Sequence, residues 1–212
     1  MKLTTTLNKI RACSPCASGW QTLLKHVGKD FDPNAEINLL TILESNGVAD
    51  MLWTLRATQD SKRIASQLAI EFAATSLPIF EKRRPNDERP RKAIQAARDY
   101  LDGKIPQAKL RSCRSHAAAA ADAAYAADAA YAAAAAYAAY VAAADAADAY
   151  AAATYAAADA AYAAAAAAAD ATYVAAADAT YAAAADAAYA AAAAREKALQ
   201  KQAEIIRMIL EA

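Results

Sequence analysis

Between Ala117 and Ala194 the chain has no Gly, Pro, Lys or Arg, and each absence excludes something. Without Gly or Pro, the stretch contains neither of the residues that stop a helix. Without a cation it has nothing to hold a phosphate, and it offers no nucleophile paired with a base, which argues against a catalytic site inside it. Cysteine is scarce too: three in 212 residues leave the core to be built without disulfide help, which a chain of this length can do. A charged segment followed by an apolar run is missing at the start, where Met1-Lys2-Leu3-Thr4 leads directly to Asn8-Lys9, so no secretory signal is expected. Long apolar runs are also missing. The longest uncharged stretch of the Ala-rich region, between Asp128 and Asp145, has 16 residues, short of the ~20 that cross a bilayer. A soluble, cytoplasmic protein with no membrane partner is expected.

What fills the stretch is alanine, 55 of its 78 residues, interrupted almost only by Tyr and Asp. Alanine is the best helix former and is poorly suited to strands, so the region reads as helical throughout. One straight helix of that length would extend about 117 Å. Tyr155, Tyr162 and Tyr173 share a face, since steps of 7 and 11 residues drift by only about 20°. Other tyrosines step by 6 or 8 and rotate off that face. No single stripe exists, which favours three to five shorter helices folded back on one another over a rod. Alanine surfaces allow close helix approach, and tyrosine supplies the contact area that alanine lacks.

The zero net charge hides a segregation. Residues 1–116 carry 19 Lys/Arg against 12 Asp/Glu, while the Ala-rich region carries eight Asp and no base. Opposite net charges should dock the acidic helices partly onto the basic region. Within that region Asp32-Pro33 reads as a helix start and Asn46-Gly47 as its stop. Ser61 is placed to cap a longer helix that Pro78 kinks or ends near Phe80. Pro90 opens a further helix that stops at Gly103, and Pro106 opens the helix that continues into the Ala-rich region. Leu199, Ala203, Ile206 and Leu210 give the tail an apolar stripe in need of a partner surface. The fold expected is all-α, an N-terminal helical domain followed by an Ala-rich multi-helix bundle or stack. The divisions are 1–105, basic and helical; 106–194, rich in Ala, Asp and Tyr; and 195–212, an amphipathic C-terminal helix.

Few residues carry site chemistry. Cys13 and Cys16 have the spacing of a metal knuckle, and Cys113 with His116 could complete a Cys3His zinc site. That requires the fold to join two half-motifs a hundred residues apart, so free cysteines without a cofactor are the plainer reading, with zinc the only cofactor worth testing. His26 reads as a surface histidine. The charged loop around Arg83, Arg84 and Arg91 is diluted by Glu81, Asp87 and Glu88, and a solvated, self-paired loop is favoured over a nucleic-acid contact.

Four segments carry a resemblance. Ala12 to Trp20, Leu43-Glu44-Ser45-Asn46-Gly47-Val48-Ala49-Asp50-Met51-Leu52-Trp53-Thr54-Leu55-Arg56-Ala57, Leu77-Pro78-Ile79-Phe80-Glu81-Lys82-Arg83, and Arg89-Pro90-Arg91-Lys92-Ala93-Ile94-Gln95-Ala96-Ala97-Arg98 are similar, in this order and followed by an Ala-rich region, to alanine-rich proteins of phages and bacteria labelled putative immunity proteins, of the immunity protein 5 class. Members of that group interrupt the alanines with Trp and Arg, whereas this chain uses Tyr and Asp. The resemblance implies an all-helical protein of bacterial conflict, without enzyme activity, that neutralises a protein toxin or a host-defence component. It would act in the host cytosol if phage-encoded. A competing binding function is a sponge for a nucleotide-like immune signal, with Arg83, Arg84 and Arg91 on phosphates and tyrosine rings stacked on bases. If instead the tyrosine face recognises the partner, Tyr155, Tyr162 and Tyr173 are the contacts. A structural helical scaffold and self-association as a homo-oligomer stay open, while an enzyme would have to draw on His26, His116 and the cysteines.

Overall fold

The computed structural model describes residues 3–125, 136, 138–139, 149–175 and 182–212. Among these the architecture is all-α: nine helices and one pair of two-residue strands. β1 (Thr4–Thr5) pairs antiparallel with β2 (Ile37–Asn38), Thr4 opposite Asn38 and Thr5 opposite Ile37. The first four helices are α1 (Leu7–Ala12), α2 (Ala17–Val27), α3 (Leu39–Asn46) and α4 (Val48–Thr54), which runs into a 3-10 turn at Leu55–Ala57. Next come α5 (Lys62–Arg83), α6 (Arg89–Leu101) and α7 (Gln107–Tyr125). The last two helices, α8 (Ala149–Ala175) and α9 (Ala182–Glu211), lie mostly or partly in the Ala-rich region.

Local chemistry places most of these boundaries. Asn46 ends α3, and Gly47 follows at φ 84, in the left-handed region that favours glycine. Pro90 lies in the first turn of α6, and Gly103 at φ 73 follows its end. Leu110 and Cys113 share α7 with the first alanines, as their spacing requires. Two expectations are corrected. No helix starts at Asp32-Pro33: the Asp32 carboxylate accepts from the Asn34 backbone N–H at 2.9 Å in a turn, and residues 37–38 are held by β1. The helix starts only at Leu39, where the Asn38 side chain accepts from Leu40 N at 2.9 Å. Pro78 does not end α5 near Phe80 either. The helix continues to Arg83 because buried Leu77 and Phe80 anchor the turns on both sides of the proline.

One contiguous core takes side chains from all three stretches of the chain, from Leu3 to Leu210. Its large members include Leu39, Ile42, Met51, Leu52, Leu68, Phe72 and Ile206. α8 packs most extensively against α5 and α9. On α5 the small residues Ala65, Ala69 and Ala73 recur every fourth position and are fully buried, as are Ala153 and Ala156 on α8. Missing side-chain bulk allows close approach of helix backbones, so the acidic region docks on the basic one through methyl groups. Gln202 on α9 donates from Nε2 to the Ala157 carbonyl of α8 at 2.7 Å. Because α9 follows α8 and lies alongside it, the Ala-rich region doubles back and is not a single rod. The stretch 195–212 continues the helix that begins at Ala182, with Ile206, Ile209 and Leu210 buried.

Candidate functional site

α8 is apolar around most of its circumference, yet its residues are not equivalent. The alanines at 152, 153, 156, 157, 160, 161 and 163 are buried, which turns the opposite arc outward. Tyr155 and Tyr162, two turns apart on that arc, are 61% and 57% exposed. Rings this large standing out of an alanine surface are unusual for a packing element, since their burial would contribute more than that of any neighbour.

Tyr162 also forms part of a groove of about 390 Å³ between α4, α8 and α9, with Val48 and Leu52 on one wall, Ala158 and Ala161 on another, and Arg195, Leu199 and Gln202 along α9. The three α9 residues share one face because they are spaced by four and three. Gln202 is only 1% exposed. Its amide orientation follows from the bond to Ala157, because only the NH2 group can donate to a carbonyl. That leaves Oε1 buried with no hydrogen-bond partner among the described residues, and an unpaired buried acceptor is costly until a donor reaches it. Asp159 lies on the same arc as the two tyrosines. Its Oδ2 is buried without a partner among the described residues, and burial pushes the carboxyl up to about 6. The groove and its rim supply apolar surface, two phenols, one guanidinium and one unmet acceptor, which suits recognition of another molecule.

The sequence-derived candidates are placed differently from one another. Tyr155 and Tyr162 are brought to one surface; Tyr173 lies on the same helix, but its side chain falls outside the described residues. Arg83, Arg84 and Arg91 do not form a free basic cluster. Arg91 makes a bidentate pair with Glu81, Nε and Nη2 each at 2.7 Å from a carboxylate oxygen. Arg84 donates from Nη2 to the Ala123 carbonyl in the last turn of α7 at 3.1 Å. Arg83 is exposed. Nearby Asp87 is held below its ordinary carboxylate pKa chiefly by its hydrogen bond from Arg89, so the loop is largely self-paired.

Cys13 closes α1, its Sγ 3.9 Å from the Arg56 carbonyl. Cys16 caps α2, its Sγ accepting from Gly19 N at 3.4 Å. Cys113 and His116 lie on α7, the first half-buried and the second exposed, and His26 is exposed near the end of α2. Among the described residues no three His, Cys, Asp or Glu side chains gather to hold a metal ion. Sequence reasoning missed Gln202 and Arg195 entirely and assigned Leu199 to the core stripe. The repeat of 195, 199 and 202 along one face was the available signal.

Residues 55–177 match the family model described as Imm-5 like putative immunity protein. The chain belongs to this family. The matched stretch, more than half of the chain, takes in α5, α6, α7 and all of α8, so Tyr155, Tyr162 and the α8 wall of the groove lie within it. No curated protein and no solved structure matches the chain. Immunity proteins as a class neutralise a toxin and are generally not catalysts. Among the described residues of this family member, no helix is long and apolar enough to cross a membrane.

Proposed function

We propose that the chain is a non-enzymatic binding protein of the cytoplasm that neutralises a protein toxin or host-defence component of bacterial conflict. Its contact surface is the tyrosine arc of α8 with the adjoining α4/α8/α9 groove. The observation that carries this reading is the pair Tyr155 and Tyr162, exposed on the arc of α8 opposite its buried alanines, beside a groove whose Gln202 acceptor has no donor among the described residues. Aromatic anchors of this kind dominate binding energy at interfaces. Sequestration of a nucleotide-like signal by Arg83, Arg84 and Arg91 is supported less well, because Arg91 and Arg84 already bind groups within the chain.

The test is protection of bacteria that express a cognate toxin. Co-expression of the chain should restore growth, and Tyr155→Ala with Tyr162→Ala should abolish protection while circular dichroism stays unchanged. Each truncation should weaken the complex by more than about 1 kcal/mol in titration calorimetry. Charge reversal at Arg83, Arg84 and Arg91 should leave protection intact. Full protection by the tyrosine variant, or loss of it in a folded arginine variant, would move the contact surface to the loop.

A further inference from the structure

Both tryptophans of the chain, Trp20 and Trp53, line a second cavity, of about 90 Å³, enclosed by α1, α2, α3 and α4. It lies wholly before residue 55 and so outside the stretch that defines the family. Leu23 and Ile42 belong to its apolar wall, and Asn46, Asp50 and Thr54 are among its polar members. Cys16 at its edge is exposed and the two indoles are half-buried, so the cavity reaches the surface.

The polar end is built. Asn46 Nδ2 donates to Asp50 Oδ2 and to the Gly19 carbonyl, both at 2.8 Å, and Ser45 donates to Asn46 Oδ1 at 2.6 Å. A Cβ at residue 19 would lie 2.6 Å from Asp50 Oδ2; glycine there is what lets the carboxylate approach α2. Among the described residues the only donor to this carboxylate is a neutral amide. Asp50 makes no ion pair among the described residues, and its Oδ1 has no hydrogen-bond partner there. A carboxylate held in place in a cavity lined by two indoles, with no ion pair among the described residues, is the complement of a cation. Trp53 already accepts one such contact, with the Arg56 guanidinium carbon 4.9 Å from its ring centroid.

We propose that this cavity is the receptor for a single lysine side chain of a partner protein, its ammonium on Asp50 Oδ1 and its methylenes between the tryptophans. The choice of ammonium over guanidinium follows from the carboxylate: with Oδ2 engaged by Asn46, one oxygen remains, which serves a point charge but not the two-bond fork of arginine.

The two tryptophans make the site its own reporter. The full chain is titrated at constant ionic strength with Nα-acetyl-lysine-N-methylamide, while indole fluorescence and the two indole N–H resonances are followed. A saturable change in the millimolar range is expected. The neutral Nε-acetylated counterpart and the corresponding blocked arginine should each bind at least about tenfold more weakly, as should the blocked lysine to Asp50→Asn. Asn at 50 still accepts from Asn46, which preserves the local network. Should that variant fail to fold, the comparison of charged and acetylated lysine on the unaltered chain decides by itself. Equal binding of the acetylated probe, tighter binding of the arginine probe, or no saturable change would overturn the assignment. Tighter binding of n-butylammonium than of the blocked lysine would also overturn it, by pointing to a free amine. None of these outcomes bears on the tyrosine arc, which is scored by protection from the toxin.

Discussion

Replacing Asp159 by Asn removes an ionisable group that the fold holds against its own charge. Burial pushes this carboxyl from the usual 3.8 up to about 6, and its Oδ2 has no hydrogen-bond partner among the described residues. With the folded pKa raised, the folded chain keeps the proton between those two values while the unfolded chain has already released it. The folded state therefore binds more protons in that window, and the free energy of unfolding falls as pH rises through it and levels off above about 6. At 1.36 kcal/mol per pKa unit the full loss is about 3 kcal/mol. Solvent reaches part of this half-buried side chain, which reduces the figure to roughly 1–2 kcal/mol. Asn keeps the shape and has no charge to lose. Thermal unfolding of both proteins is compared at about pH 3 and at about pH 7.5, either side of the window. The difference between variant and unaltered chain should shift in the variant's favour by about 1–2 kcal/mol across that interval, or roughly 2–8 °C in Tm for a protein of this size. Taking the change in the difference cancels any fixed cost of the new amide and the titration of all other groups. A difference that stays constant, or moves the other way, refutes the desolvated setting assigned to Asp159.

Other perturbations test the packing. Ala153→Leu forces a larger side chain into a fully buried position on α8 and should cost about 1–3 kcal/mol in urea unfolding, whereas an exposed alanine such as Ala158 should accept Leu with a change within about 0.5 kcal/mol. Gly19→Ala places a Cβ 2.6 Å from Asp50 Oδ2, so it should destabilise the chain by about 1–3 kcal/mol and perturb both indole resonances. Arg91→Ala breaks the pair with Glu81, yet the arginine side chain is 61% exposed, so chemical denaturation should show a loss of no more than about 1 kcal/mol.

Much of the fold was legible because the signals were local. Pro90 and Gly103 bound α6, Asn46-Gly47 ends α3, and the alanines of α7, α8 and α9 form helix. Each of these outcomes depends on a few neighbouring residues and their backbone preferences. The reading failed where a distant segment intervened. Asp32-Pro33 has the chemistry of a helix start, but Ile37 and Asn38 pair with Thr4 and Thr5, and that ladder delays the helix to Leu39. The loop around Arg83, Arg84 and Arg91 was read as self-paired from its mixed charges, but the particular partners of two of them, Glu81 and the Ala123 carbonyl, are supplied by the ends of other helices and were not legible locally.

The candidate site was the least legible part. Alanine content with neither Gly nor Pro was enough to determine that α8 is a helix, because helix propensity is a local free energy summed residue by residue. The same composition carries no phase: with methyl groups on every side, no apolar stripe says which face goes inward. That choice belongs to α5 and α9, whose packing buries Ala153 and Ala156 and leaves Tyr155 and Tyr162 outside. The groove, assembled from residues near 50, 160 and 200, and the unmet acceptor of Gln202 exist only once those helices meet, since burial and hydrogen-bond satisfaction are properties of the packed surfaces and not of any one segment.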